Sequence, residues 1–223
     1  MIRRTPTSNR QRGFTLVEIA IVLVIIGLLL GGILKGQEMI VQARIKNVAN
    51  DFNGITAAYF SYQDRYRAVP GDDGGAATRW TGAKAGGNNG SLSGQYNAAP
   101  PADPTVMVVD DTQNESLNFW WHLRLAGFVA GPTSGPGAAS QPNNSVGGIV
   151  GAQSGGMGMS GNLICSSNVP DKIAVAVDTQ LDDQRSSGGS LRGQDQGTAS
   201  SPAVGAPAAN YIESGTNQYL LCR

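Results

Sequence analysis

From Ile19 to Leu34 the chain runs 16 residues without a charge, and extension back to Phe14 gives 21 residues in which Glu18 is the single charge. As a helix rising 1.5 Å per residue, that stretch is about 32 Å long, enough to cross a bilayer core of about 30 Å. Beyond Lys35 the pattern changes rather than stops. Val41, Ile45, Val48, Phe52, Ile55, Tyr59, Tyr62 and Tyr66 follow one another at spacings of 4 and 3 in alternation, which keeps one helix face apolar. Gln42, Arg44, Lys46, Asn47, Asp51, Asn53, Gln63 and Asp64 fill much of the rest, and Pro70-Gly71 predicts the stop. One helix is therefore expected from residue 14 to about residue 67, apolar all round at first and amphipathic afterwards. A coiled-coil dimer could use the same stripe, but a domain that needs a packing surface follows it.

The pattern weakens after residue 71. Between Gly71 and Gly161 there are 19 glycines in 91 residues. Within this stretch, Leu117, Trp120, Trp121, Leu123, Arg124 and Leu125 predict a short amphipathic helix closed by Gly127. The Trp pair is expected to pack beneath a sheet, and His122 to be a helix residue rather than a ligand. Residues 129–162 read as an exposed loop with a short strand at Gly148–Val150, and 185–209 as a similar loop. Leu163–Cys165 and Lys172–Val177 have strand or buried-segment character, Asn217–Cys222 reads as a final strand, and Ile173–Leu181 stays open to a short helix. These elements predict an α+β fold, with a long N-terminal helix packed on a small antiparallel sheet and long glycine-rich loops.

Charge adds a direction. The 223-residue chain has no net formal charge. However, Arg3, Arg4, Arg10 and Arg12 all precede the apolar run, and no acid accompanies them. By the positive-inside rule they predict a cytoplasmic N-terminus, with the polar remainder across the membrane. A secretory signal peptide would have a shorter apolar region ending in small residues, whereas Lys35-Gly36-Gln37-Glu38 follows this one. One His and two Cys exclude multi-histidine and four-cysteine metal sites, and no phosphate-cradling glycine motif is present. No coherent nucleophile-base set emerges, so no enzymatic activity is expected. The acidic remainder offers nothing to nucleic acid.

Glu18 demands a reason, because a carboxylate in a membrane helix is costly. Its surroundings, Arg10-Gln11-Arg12-Gly13-Phe14-Thr15-Leu16-Val17-Glu18, resemble the processing signature of type IV prepilins and type II secretion pseudopilins. The resemblance covers about the first 35 residues. It implies cleavage between Gly13 and Phe14 by a membrane aspartyl peptidase, and N-methylation of Phe14. It also implies a pairing of Glu18 with the N-terminal ammonium of a neighbouring subunit. Tyr66–Asp73, the Phe119-Trp-x-His-Leu run and the Val169–Asp183 segment resemble head segments of the same proteins.

The implied organisation is a leader at 1–13, a transmembrane and filament-core helix half at 14–36, an amphipathic half at 37–67 and a head at 68–223. Cys165 and Cys222 are read as a disulfide closing a C-terminal loop, with two buried thiols as the alternative. Asp72, Asp73, Asp110, Asp111, Asp182 and Asp183 form acidic pairs that read either as solvated turns or as weak calcium candidates. No other cofactor is expected. The implied partners are other copies and related pilins, the peptidase, an inner-membrane platform and its ATPase. The implied location is the inner membrane, then a surface pilus or a periplasmic pseudopilus. A pilus subunit leads, with a pseudopilin or minor pilin as the alternative. A membrane-anchored binding domain that never polymerises is the reading from a different class.

Overall fold

The computed structural model describes residues 15–100, 114–135 and 137–223. Helix α1 spans Leu16–Tyr66, α2 Ala76–Arg79, α3 Glu115–Leu125 and α4 Asp171–Leu181. The strands are β1 Val150–Gly156, β2 Met159–Pro170, β3 Arg192–Asp195 and β4 Gln218–Cys222. The chain divides into two compact units, Met1–Gln42 and Ala43–Arg223. The first contains the apolar part of α1. The second is a head that begins with the amphipathic part of the same helix and adds all other elements.

Within the head, the predicted stripe is the buried face of α1. Ile45, Val48, Phe52, Ile55 and Tyr62 are buried, joined by Ala49 and Ala58. Tyr59 stacks on Phe119 of α3 at 6.3 Å between ring centroids, and its hydroxyl accepts a hydrogen bond from Asn162 of β2 at 3.3 Å. The helix ends where expected. Arg67 takes a left-handed backbone (φ 56°), its N–H closes on the Gln63 carbonyl, and Pro70 follows.

The sheet is antiparallel with order β1-β2-β4-β3. Tyr219, Leu220, Leu221 and Cys222 are all buried, because β4 is an inner strand covered on both faces. A two-residue turn, Met157-Gly158, joins β1 to β2, with both residues at positive φ as a type I′ hairpin requires. Methionine is unusual there. Its side chain is 1% exposed, packed with Tyr96, Leu163, Cys165, Leu220 and Cys222, so core burial offsets the backbone cost.

The structure corrects one expectation and sharpens two. Residues 129–162 are not one loop: β1 and the start of β2 lie inside them, and β3 lies inside the other expected loop. Glycine is a requirement of β1 rather than a sign of loop. A Cβ on Gly151 would collide with the Tyr96 carbonyl, so glycine lets the 92–98 segment lie directly on the strand. The open segment at Ile173–Leu181 is helix α4, with Ile173, Ala174 and Val177 buried along one face. Finally, Trp121 is buried on Leu117, Ala138 and Ala139, and its indole N–H donates to the Thr133 carbonyl at 2.9 Å. Trp121 thus packs on its own helix and a loop.

His122 is a helix residue that holds the turn after α1. Its Nδ1 accepts the Gly71 N–H at 2.9 Å, and its Nε2 lies 2.8 Å from the Lys84 carbonyl. A carbonyl only accepts and an amide N–H only donates, so the ring is fixed as the neutral Nε2–H tautomer. Burial above all holds its pKa down, to about 4, with the Arg79 charge acting the same way and the Lys84 hydrogen bond opposing them. Unfolded, the ring takes a proton near pH 6.5. The unfolded chain therefore binds the extra proton between the two values, and stability is lost as pH falls through that window. Urea unfolding of the detergent-solubilised chain should show about 2 kcal/mol lost between pH 7 and pH 5. A His122→Asn variant should be weaker throughout and should lack most of that slope. Equal slopes in both chains would contradict the assignment.

Candidate functional site

The N-terminal unit holds the residues on which the processing and assembly reading depends. Gly13 and Phe14 lie outside the described residues, as do Asp110 and Asp111. From Thr15 onward the geometry is visible. Thr15 precedes the first helical residue, and Glu18 is the third residue of α1. The Thr15 N–H donates to Glu18 Oε2 at 2.7 Å, and the Thr15 hydroxyl donates to the same oxygen at 2.8 Å. In return the Glu18 N–H approaches Thr15 Oγ1 at 3.3 Å. This is a capping box, in which the residue before the helix and its third residue satisfy each other's free amide groups. Its sequence signal, Thr-x-x-Glu ahead of an apolar run, is present at Thr15-Leu-Val-Glu18. This local partner is additional to the favourable helix N-terminus expected for an acid near the headgroups and to the neighbouring subunit that the resemblance implies.

Behind the cap, α1 is apolar on every side. Leu16 is 85% exposed and Leu28 74%, and Val17, Leu23, Val24, Leu29 and Leu34 are each at least 60% exposed. The most apolar 18-residue window of this helix has a mean hydropathy of 2.8 and no buried residue, and it is long enough to cross a membrane. A helix of this kind, with no polar face, needs lipid or other protein around its whole circumference. Lys35 and Glu38 form an exposed ion pair at 2.7 Å as the polar pattern begins.

The head's acidic pairs have protein partners. Asp72 accepts the Asn89 N–H at 3.0 Å through Oδ1 and the Gly90 N–H at 2.6 Å through Oδ2. Asp73 accepts the Gly75 N–H and the Tyr62 hydroxyl, and pairs with Arg79. Both carboxylates are buried, and they tie the 71–90 segment together and to α1. Asp182 accepts the N–H groups of Ser190 and Leu191, and Asp183 that of Arg185. These two lie beside Asp178 of α4, with one carboxylate oxygen from each of the three within 4.8 Å of the others. Asp178 is fully buried and accepts the Gln184 N–H and the Tyr211 hydroxyl. Burial pushes its pKa up, the Tyr211 and Gln184 hydrogen bonds pull it back, and Asp182 and Asp183 push it up further. Asp178 and Glu115 are structural carboxylates without an evident sequence signal. Glu115 accepts the Gly87 and Ser93 N–H groups from inside the head.

Cys165 and Cys222 face each other across β2 and β4 and are disulfide-bonded, with Cα atoms 4.1 Å apart and a sequence separation of 57. Ile164 and Arg223, one step along, exchange both backbone hydrogen bonds. The cysteines therefore occupy a non-hydrogen-bonded pair, the position where opposing side chains come closest.

No curated protein and no solved structure matches the chain. The family model of the prokaryotic N-terminal methylation motif matches residues 8–34. That segment joins the Gly13-Phe14 junction, the Thr15–Glu18 cap and the apolar helix. The chain thus carries, on an α+β pilin-like fold, the signature of type IV pilin and pseudopilin prepilins.

Proposed function

We propose that this chain is the precursor of a structural subunit of a type IV pilus-like filament. In this reading a prepilin peptidase cuts between Gly13 and Phe14, and Phe14 becomes the methylated N-terminus. Helix α1 waits in the inner membrane with its N-terminal end cytoplasmic, then enters the filament core. An inner-membrane platform and its ATPase drive the transfer. The chain catalyses nothing; it is the peptidase's substrate and the filament's building block. One observation carries the reading: a helix with no polar face, headed by a single carboxylate, inside a methylation motif.

Glu18 supplies register. An unpaired charge in an apolar core is expensive, so a subunit seated at the wrong height would leave its carboxylate and a neighbour's ammonium both unpaired. Glu18→Ala should be cleaved like the native chain and should be absent from filaments. Its cleavage is read by mass in the membrane fraction and its assembly by subunit content in sheared surface filaments; normal filaments would refute the role.

The methylation motif is shared with pseudopilins, so the same fractions decide between the two uses. Intact mass and N-terminal sequencing should find a chain beginning at methylated Phe14. Abundance in sheared surface filaments supports a pilus subunit. Processed chain confined to the envelope supports a secretion pseudopilin or a minor pilin. A chain beginning at Met1 in every fraction would overturn both in favour of a membrane-anchored domain that does not polymerise.

A further inference from the structure

Among the described residues of the head, Ala43–Arg223, the large hydrophobic side chains left exposed are Phe60 and Ile212, each at 60%. They lie in different places. Phe60 is at the rim of a mostly apolar cavity of about 170 Å³ between α1 and the sheet, whose lining includes Tyr59, Phe119, Leu163, Ile164 and Arg223. Its ring meets that of Tyr59 edge-on at 5.3 Å. An apolar cavity of about 150 Å³ accepts a six-carbon ring, so this one has room for a branched four-carbon side chain.

Ile212 is on the loop that leads into β4, and its backbone is held at both polar groups. Its N–H donates to the Tyr219 hydroxyl at 2.7 Å, and its carbonyl accepts from the Asn217 side-chain amide at 3.2 Å. The Tyr211 hydroxyl and the Gly215 N–H are fixed on Asp178 and Asp171, each at 2.6 Å. A pinned loop thus holds an apolar side chain out in water. Its ordering cost is met by folding, before any partner arrives. The charges beside the two sites are opposite. Glu213 follows Ile212 and is exposed, whereas Arg223 lines the cavity. Among the described residues neither has an ion-pair partner, and the Arg223 guanidinium makes one hydrogen bond, to Asn53 Oδ1 at 3.1 Å. Tyr219, which holds Ile212, is four residues from Arg223 along extended chain, about 14 Å. A chain therefore presents both surfaces without joining them.

We propose that the Ile212-Glu213 corner of one copy docks into the α1–sheet cavity of a second copy, with Ile212 beside Phe60 and Glu213 paired with Arg223. Burial of Ile212 supplies the attraction, and the ion pair sets the orientation. The two surfaces are different patches, so the contact is head-to-tail, and its repetition gives an open row rather than a closed pair. The proposal rests on the filament reading above and adds a contact between heads to the one made through α1.

The test uses the full-length chain in cells that assemble the native one. Both native cysteines are disulfide-bonded, so introduced cysteines are the reactive thiols. A short bismaleimide applied to filaments of the Phe60→Cys, Ile212→Cys double variant should join it into a ladder of multimers. Cells carrying the two single variants together should give cross-linked dimers, and either variant alone should give none. A double variant that stops at dimers would show a reciprocal pair and overturn the head-to-tail arrangement. Filaments that hold both cysteines yet give no cross-linked species would overturn the contact and leave the filament reading standing.

Charge reversal is the second measurement. Glu213→Arg and Arg223→Glu should each lower subunit content in sheared filaments about fivefold, and the two together should restore it. A double reversal no better than either single one would overturn the pairing. Ile212→Asp should lower filament content at least about tenfold, the affinity carried by one buried aliphatic side chain. Its melting temperature should stay native, because the side chain is exposed within the head. Native filament content in that variant would overturn the proposal. A native chain absent from every filament fraction would overturn the filament reading, and the proposal with it.

Discussion

A Gly71→Ala chain is expected to melt about 6–20 °C below the native one, followed by the near-ultraviolet signal of its buried tryptophans. Gly71 sits at φ 93°, a backbone conformation that a residue with a Cβ adopts only under strain. Space is the greater problem. An added Cβ would run into the Glu115 carbonyl, would lie 2.8 Å from a Leu92 methyl group and would lie 3.0 Å from the Phe119 amide nitrogen. Two of these three neighbours are backbone of α3, which cannot swing aside. Moving Gly71 away would also break its hydrogen bond to His122 and leave a buried ring nitrogen without its donor. Strain, overlap and the lost hydrogen bond together should cost about 3–5 kcal/mol. At about 2–4 °C per kcal/mol for a domain of this size, a shift of about 6–20 °C follows. A shift below 3 °C would mean that the turn after α1 tolerates a different path.

The second large effect concerns the disulfide. Cys222→Ser should destabilise the head by about 4 kcal/mol, the chain-entropy value for freeing a loop of this length. The same loss should appear when the native chain is unfolded in urea with and without a reductant. In the Cys222→Ser chain the reductant should have no further effect. The reduced protein should retain a folded sheet in dilute buffer, because β4 keeps its hydrogen bonds to β2 and β3. A native midpoint unchanged by reduction would show that those ladders alone hold the strand.

How much of this could be read from the residues depends on where the deciding forces lie. The α1 stripe was legible because a long helix writes its buried face into the sequence as a period. Ile45, Val48, Phe52, Ile55 and Tyr62 are buried because that face packs. β1 was not legible, because Val150-Gly-Ala-Gln-Ser-Gly-Gly156 lacks the residues that favour strands. Its glycines answer to distant neighbours: Gly151 to Tyr96, more than fifty residues back in sequence, and Gly156 to Val204. β3 is short and polar, and is a strand by virtue of pairing with β4. α4 stayed open because Ile173-Ala-Val-Ala-Val177 suits a strand or a buried helix face equally. At the N-terminus, Glu18 stood out because a lone charge in an apolar run requires a reason. Thr15 raises no such conflict, because a threonine ahead of a helix is at home in the motif. The acidic pairs show a limit of another kind: composition reveals carboxylates, but only the fold shows that Asp72 and Asp73 already hold amide and hydroxyl donors.

The order of the sheet has a consequence for biosynthesis. β4 is the last of the four strands in sequence yet lies between β2 and β3. A chain emerging N-terminus first can form the β1-β2 hairpin early. β3 then has nothing to pair with, and β2 offers a bare edge, until Gln218–Cys222 has been delivered. Completion of the head is thus deferred until β4 has been made, and a chain truncated before β4 would lack an inner strand and both ladders that flank it.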